Sequence, residues 1–344
     1  MRAVVDTSVF LLGCLILAAV GYDVLRTVLA PRQQPTLLMR AVLRSVATVA
    51  LSLARTMRGS VRRRLLDLIG PSVPFWVLGC WLASVLVGFS LLGMSFGGVP
   101  ATPDAVVGFL LASDTAGIGW RAGVVTLAAW MTTMTVLLTF TAHLVRFTGA
   151  YSRREALVNA LAAQAMRPPD AEWLLASYLR SGASAHLDGQ LARWARWMAD
   201  VHATHTAYPA LVLCRPSAQL CWLKAAMIML DAAALLDSIA PDRTSPHARS
   251  LLHTGTHCMQ GLTEHIDIIR PSAVASFEWR EEVNFHDTLQ TMIAAGLPPE
   301  RDEARAAAFF QSWRTQYAPY VVAIATYLLY DDVTAGEPTF AREE

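Results

Sequence analysis

Long uncharged apolar runs alternate with short arginine-bearing stretches over the first 150 residues, and a different rhythm takes over afterwards. The first run, Thr7–Tyr22, belongs to an apolar segment that continues to Ala30, with Asp23 and Arg26 near its end. The second, Phe75–Phe96, lies inside a stretch without charge from Leu68 to Pro103, and Pro71 and Pro74 precede it. The third is Ala122–Ala142, followed by His143, Arg146, Arg153 and Arg154. A helix crosses the roughly 30 Å hydrocarbon core with about 20 apolar residues, so the pattern predicts three membrane spans. Between the second and third spans, Ala105–Ser113 is apolar but too short to cross. A half-length apolar piece in that position reads as a re-entrant helix, whose irregular backbone is tolerated at membrane depth only against protein or a wet cavity.

From Tyr151 onward the apolar spacing is helical and strand alternation is nearly absent. Helices are predicted over 152–166, 170–182, 185–206, 217–239, 245–269, 275–296 and 299–332. Breaks fall at Pro168-Pro169, Ser181-Gly182, Pro209, Pro216, Pro241, Pro271 and Pro298-Pro299. Two greasy stretches, Ala225–Leu236 and Tyr317–Tyr330, read as buried core helices rather than spans. Asp231, in the first of them, needs a partner if buried, and Arg153, Arg154 or Arg215 is the expected class. The expected layout is a first transmembrane helix (1–30), a basic amphipathic segment (31–70), a helix–loop–helix membrane domain (71–149), a helical cytoplasmic domain (150–332) and a tail (333–344).

Charge refines this picture. Residues 1–150 hold 12 arginines and 5 acids, and residues 151–344 hold 15 arginines, the single Lys224 and 22 acids. Residues 31–72 carry eight arginines and one acid, Asp67, which by the positive-inside rule makes them cytoplasmic. The N-terminus is then outside and everything after the third span cytoplasmic. A cleaved signal peptide is the alternative for the first run, disfavoured because Arg2 is offset by Asp6 and the basic residues follow the apolar run. Arg40, Arg44, Arg55, Arg58 and Arg62 fall within about 60° on a helical wheel. They predict an amphipathic helix on the inner membrane surface, drawn to anionic lipid. A solvated basic face packed on the cytoplasmic domain is the other reading. Trp76 and Trp120 fall near opposite interfaces, as an aromatic belt requires.

The segment after the short apolar piece is Thr115-Ala116-Gly117-Ile118-Gly119. Glycines at alternate positions let consecutive carbonyls point to one axis, which is what stripping water from K⁺ demands. Thr102-Pro103-Asp104 forms a helix start, with Thr as cap and the acid beside the positive end of the dipole. The segment resembles the pore loop of the potassium-channel superfamily, which also has the order span, loop, span. The chain resembles a bacterial ion-channel family labelled two pore domain potassium channel family, although it carries one loop. That likeness covers about residues 7–240 and runs through Asp23–Leu29, Tyr151–Leu157, His205–Pro209, Trp222-Leu223, and Leu230-Asp231 before Ala234-Leu235. It implies a re-entrant pore loop in an all-α membrane protein, K⁺ as the permeant ion with no cofactor, and a homotetramer in the cell membrane, since one loop supplies a quarter of a ring. Val136, Leu137 and Phe140 are the candidates for the inner pore wall. The family's usual aromatic between the glycines is Ile118 here, and its following acid is Trp120. The alternatives are a non-conducting re-entrant or surface loop, and a scaffold or sensor acting through the helical domain.

Other chemistry is thinly represented. His202 and His205 share a helix with Asp200, and His253 and His257 share a face, but HTGTH lacks the glutamate of a zincin and no third ligand is fixed. The DTAG stretch at Asp114 has an alanine inside the aspartic-protease pattern and no second copy. There is no phosphate-binding glycine loop, and halves of opposite charge do not suit nucleic acid. No catalytic set is legible, so no enzyme is expected. The five cysteines form no CxxC pair and no disulfide framework.

Overall fold

The computed structural model describes residues 2–28, 36–95, 120–164, 170–216, 220–265 and 285–330, and every regular element among them is helical. The chain divides into two units, Met1–Gly149 and Ala150–Glu344. The first contains α1 (Arg2–Val28), α2 (Leu37–Thr56), α3 (Gly59–Ser95) and most of α4 (Trp120–Gln164). All four are long and apolar enough to cross a membrane.

This differs from the sequence expectation in three places. The basic segment is not one helix: Thr36 caps α2, and the chain then breaks at Met57-Arg58, with Met57 extended and Gly59 at φ +67°. With only Arg40, Arg44 and Arg55 charged among its 20 residues, α2 is itself apolar enough to span. Pro71 and Pro74 lie inside α3 rather than ahead of it. Each proline removes one backbone donor and crowds the carbonyl four residues back, and in an apolar helix neighbouring side chains re-satisfy that turn. The carbonyls left without a backbone donor are those of Asp67 and Gly70, and between them the Ser72 hydroxyl donates to the Ile69 carbonyl at 2.8 Å.

Helix α3, with 37 residues, is about 55 Å long and is the common support. Its C-terminal half takes α1. A Cβ on Gly13 would lie 2.9 Å from the Gly88 carbonyl oxygen, and one on Gly88 would lie 2.7 Å from Leu17 Cγ, so the two backbones meet at paired glycines. Ten residues further along α1, Asp23 accepts a 2.7 Å hydrogen bond from the buried Trp81 indole. The pairs Gly13–Gly88 and Asp23–Trp81 run in opposite directions, so the helices are antiparallel. The N-terminal half of α3 takes α2, which the two-residue turn at Met57-Arg58 folds back antiparallel along it. Thus α1 and α2 occupy successive halves of α3. Helix α4 reaches the same level at Phe140, whose ring meets Phe75 edge-on at 5.7 Å, and at Arg146, which donates to the last carbonyl of α1, Val28, at 3.3 Å.

The second unit contains α5 (Ala171–Arg180), α6 (Ser184–Ala207), a 3-10 turn (Pro209–Leu213), α7 (Trp222–Ile239), α8 (Pro246–His265), α9 (Phe285–Ala294) and α10 (Glu303–Tyr327). Asp170 and Asp302 cap α5 and α10, accepting from the amides of Trp173 and Arg305. At the centre lies α7, of which every residue except Lys224 is buried; α5, α8 and α10 pack around it and α6 packs on α8. Both greasy stretches of the sequence are therefore core.

The units differ in the surface they expose. Large apolar side chains are exposed throughout the first, from Leu11, Leu15 and Trp76 to Leu127, Met131 and Leu138, whereas Ile293 and Phe309 are the only ones among the described residues of the second. A surface so apolar is insoluble in water and suits lipid.

Gly13→Leu should destabilise the first unit by about 1–3 kcal/mol, the usual range for overpacking, because the atom it meets is backbone. Gly21→Ala, with nothing within 4 Å of its Cβ, should be neutral. Thermal unfolding of both variants in detergent checks this, and equal midpoints remove the close contact.

Candidate functional site

The predicted filter, Thr115, Ala116, Gly117, Ile118 and Gly119, and the helix start before it lie outside the described residues. Their frame is described: α3 ends at Ser95 and α4 begins at Trp120, so the segment joins two long apolar helices. Of the three wall candidates, Val136 and Phe140 are buried within the unit and Leu137 is half-buried. Periodicity could not separate these faces, because α4 is apolar on every side. The face it exposes carries Leu127, Met131, Met134, Leu138 and Val145.

Three threonine hydroxyls on α4 are satisfied inside their own helix. Thr135, Thr139 and Thr141 donate to the carbonyls of Met131, Thr135 and Leu137 at 2.7–2.9 Å. Internal bonding of this kind lets a hydroxyl sit in hydrocarbon without an orphaned donor.

The basic stripe is divided by the break. Arg40, Arg44 and Arg55 are on α2, Arg58 is in the turn, and Arg62 is on α3. Arg44, Arg55 and Arg58 are exposed, while Arg40 and Arg62 are half-buried. With the exposed Arg63 and Arg64, most of this charge gathers at the tip of the α2–α3 hairpin rather than along one surface helix.

In the second unit, groups from α4, α6, the 3-10 turn and α7 converge on a buried guanidinium that sequence reasoning missed. Arg154 is 1 % exposed. Its Nε donates to Glu155 Oε1 at 2.9 Å, its Nη1 to the Leu211 carbonyl at 2.8 Å, and its Nη2 to the Cys214 carbonyl at 2.8 Å. The rings of Tyr151 and Trp222 lie 5.2 Å from its central carbon. Burying a charge costs several kcal/mol unless it is paired and hydrogen-bonded, and here the cation supplies donors to carbonyls at the end of the 3-10 turn. His205 Nδ1 lies 2.8 Å from the Val201 carbonyl, which assigns the proton to that nitrogen, and Nε2 faces Arg154 Nη1 at 3.3 Å as acceptor. Four of the five N–H groups of Arg154 thus meet protein acceptors, which makes it a structural hub. The only sequence signal was a two-arginine run followed by an acid, Arg153-Arg154-Glu155, which does not distinguish a surface pair from a core one.

Asp231 is buried and paired with an arginine, as the sequence requires, but not one of the three expected. Tyr317 donates to its Oδ1 at 2.7 Å and Arg314 Nε lies 3.1 Å away. Both come from α10, one turn apart, because α10 packs on α7. Arg153 instead pairs with Asp200 at the surface, and Arg215 donates to the carbonyls of Leu328 and Leu329. Leu329 has φ 56°, a left-handed backbone that an apolar L-residue adopts at a cost, so Arg215 pins the end of α10.

The histidines are spread among packing roles. The rings of His202 and His257 approach at 4.9 Å, His253 meets Trp313 edge-on, and His202 seats over Gly261, where a Cβ has no room. Among the described residues, no group of three or more His, Cys, Asp or Glu side chains is arranged to hold a metal. Burial pushes the thiols of Cys214 and Cys258 up to about 12 and that of Cys221 to about 11, so none is a thiolate at neutral pH.

Burial, and then the Arg154 charge, hold the His205 imidazole well below its ordinary value of 6.5. The folded state thus binds fewer protons here than the unfolded chain, and stability present above pH 6.5 is lost as pH falls below it, by up to about 1.4 kcal/mol per pH unit. Chemical denaturation between pH 7.5 and 5 should show this slope, flattened by about one proton in His205→Asn. An identical slope in that variant removes the buried neutral imidazole as its source.

No family model matches the chain, and no curated protein or solved structure matches it.

Proposed function

We propose that this chain is a potassium-channel-like cation channel subunit of the cell inner membrane, with Thr115–Gly119 as one quarter of a filter ring in a homotetramer. The observation that carries this reading is the alternate-glycine TAGIG stretch, set after a short apolar piece and joining two long apolar helices. The register on α3 supports three spans rather than four. Helix α1 meets the outer half of α3 at Gly88 and Trp81, and α4 joins them at Phe75 and Val28, so these three share one slab. Helix α2 runs beside the inner half of α3, displaced from α1 along the axis by nearly its own length. It would lie below the slab, with the arginines of the hairpin tip facing the cytoplasm and anionic lipid. The N-terminus is then outside and the helical unit cytoplasmic. Val136 and Phe140 face the protomer's own interior, so a wall formed by α4 would draw on Leu137 and on the exposed Met134 and Leu138.

A non-conducting scaffold or sensor is the second reading, favoured by Ile118 and Trp120 in place of the usual aromatic and acid. The two predict different assemblies: four copies with TAGIG around an axis for the channel, one or two for the scaffold.

Purified protein in liposomes should pass K⁺, and Gly117→Ala should abolish that flux while the oligomer stays intact in detergent. Folded protein that passes no cation across a range of voltage, pH and lipid overturns the channel reading. Unchanged conductance and selectivity in Gly117→Ala overturn the filter assignment.

A further inference from the structure

The second unit contains a cavity of about 80 Å³ with an apolar floor and a polar mouth, walled by the end of α4 together with α5, α6 and α7. Leu161, Leu174, Trp194 and Met229 form the floor, and all four are buried. Gln164, Tyr178, Gln190 and Arg193 stand around the mouth. Protein interiors pack at the density of organic crystals, and voids larger than one water are few. An apolar floor offers water nothing to bond to, so such a space is dry and open to an apolar guest.

The mouth is the second observation. None of its four side chains has a hydrogen-bond or ion-pair partner among the described residues, while most other described arginines of this unit, though not Arg196, are engaged, among them Arg153 with Asp200, Arg154 with Glu155, Arg249 with Asp237 and Arg314 with Asp231. Four unengaged polar groups converging on an apolar hole are the arrangement of a small-molecule site.

The chemistry of the lining selects the ligand. Arg193 is the one charged group that lines the cavity, and no acid lines it. The bound head is therefore anionic and able to accept hydrogen bonds from a guanidinium and two amides. A water-sized sphere takes roughly 12 Å³ of such space, so the cavity holds a body of about six or seven carbon-sized groups. Trp194 offers an aromatic wall. We propose that this cavity binds a small monocarboxylate with a compact apolar body, of the size of benzoate or hexanoate, as a ligand of the helical unit. The proposal does not depend on conduction, since binding is read without flux.

The test titrates benzoate into the full chain in nanodiscs, by calorimetry or ligand-observed NMR, with hexanoate, benzyl alcohol and benzylamine alongside. Benzoate and hexanoate should bind saturably, and benzylamine at least tenfold more weakly. Arg193→Gln should weaken benzoate about tenfold and leave benzyl alcohol unchanged. Ala160→Phe, at an exposed mouth position where folding is safe, should block both. The proposal is overturned if folded wild-type protein binds neither carboxylate, if benzylamine binds as well as benzoate, or if both variants bind benzoate like wild type.

Discussion

Polar groups that this chain removes from water have to find partners within it, and that requirement organises both units. In the first, Asp23 would be an uncompensated acid among apolar helices if Trp81 did not present its indole N–H across the α1–α3 contact. The contact is close enough for that bond because Gly13 and Gly88 let the two backbones meet. Arg146 uses the same logic at the last residue of α1, giving a donor to a carbonyl that the helix leaves open at Val28. Threonine hydroxyls on α4 fold back onto their own carbonyls, which leaves its outer surface apolar.

The second unit meets the same requirement differently, because it has enough chain to enclose its polar groups. Arg154 enters a nearly dry site and organises it, joining Glu155, one carbonyl within the 3-10 turn and one just after it, and a neutral His205. Asp231 is held by Tyr317 and Arg314 from another helix, and Asp237 by Arg249 and the Trp313 indole. These bonds cross long stretches of sequence, so they lock α10 and α8 against the wholly buried α7. The unengaged side chains around the small cavity stand out against this pattern, in a unit whose other arginines are mostly tied down.

Much of the fold was legible from periodicity. Helices wide of any break, such as α6 and α8, follow their apolar spacing, and the greasy α7 was distinguishable from a membrane span by Lys224, Asp231 and Asp237. Local breaks were less legible. Pro71 and Pro74 look like a helix boundary, yet α3 runs through them, since a proline in an apolar helix is tolerated when its neighbours re-satisfy the turn. The arginine stripe looks like one surface helix, yet a two-residue turn folds it into a hairpin, because the Met57 and Gly59 backbones reverse the chain where the stripe is continuous on a wheel. Of the candidate site, the glycine spacing in TAGIG is a sequence observation and lies outside the described residues. The two faces of α4 could be told apart only by what packs on them.

By itself, the sequence determined the all-helical class, the apolar helices suited to a membrane, the contrast in charge between the two halves, and the need for Asp231 to have a cationic partner. Those properties follow from residue type and spacing, which act locally. Only the tertiary structure decided that the partner is Arg314, that Arg154 is a buried hub, that α1 and α2 occupy successive halves of α3, and that four polar side chains converge on one cavity. Each of these depends on which helices touch and in what register, and contacts between residues 57 to 118 positions apart leave no trace in local periodicity.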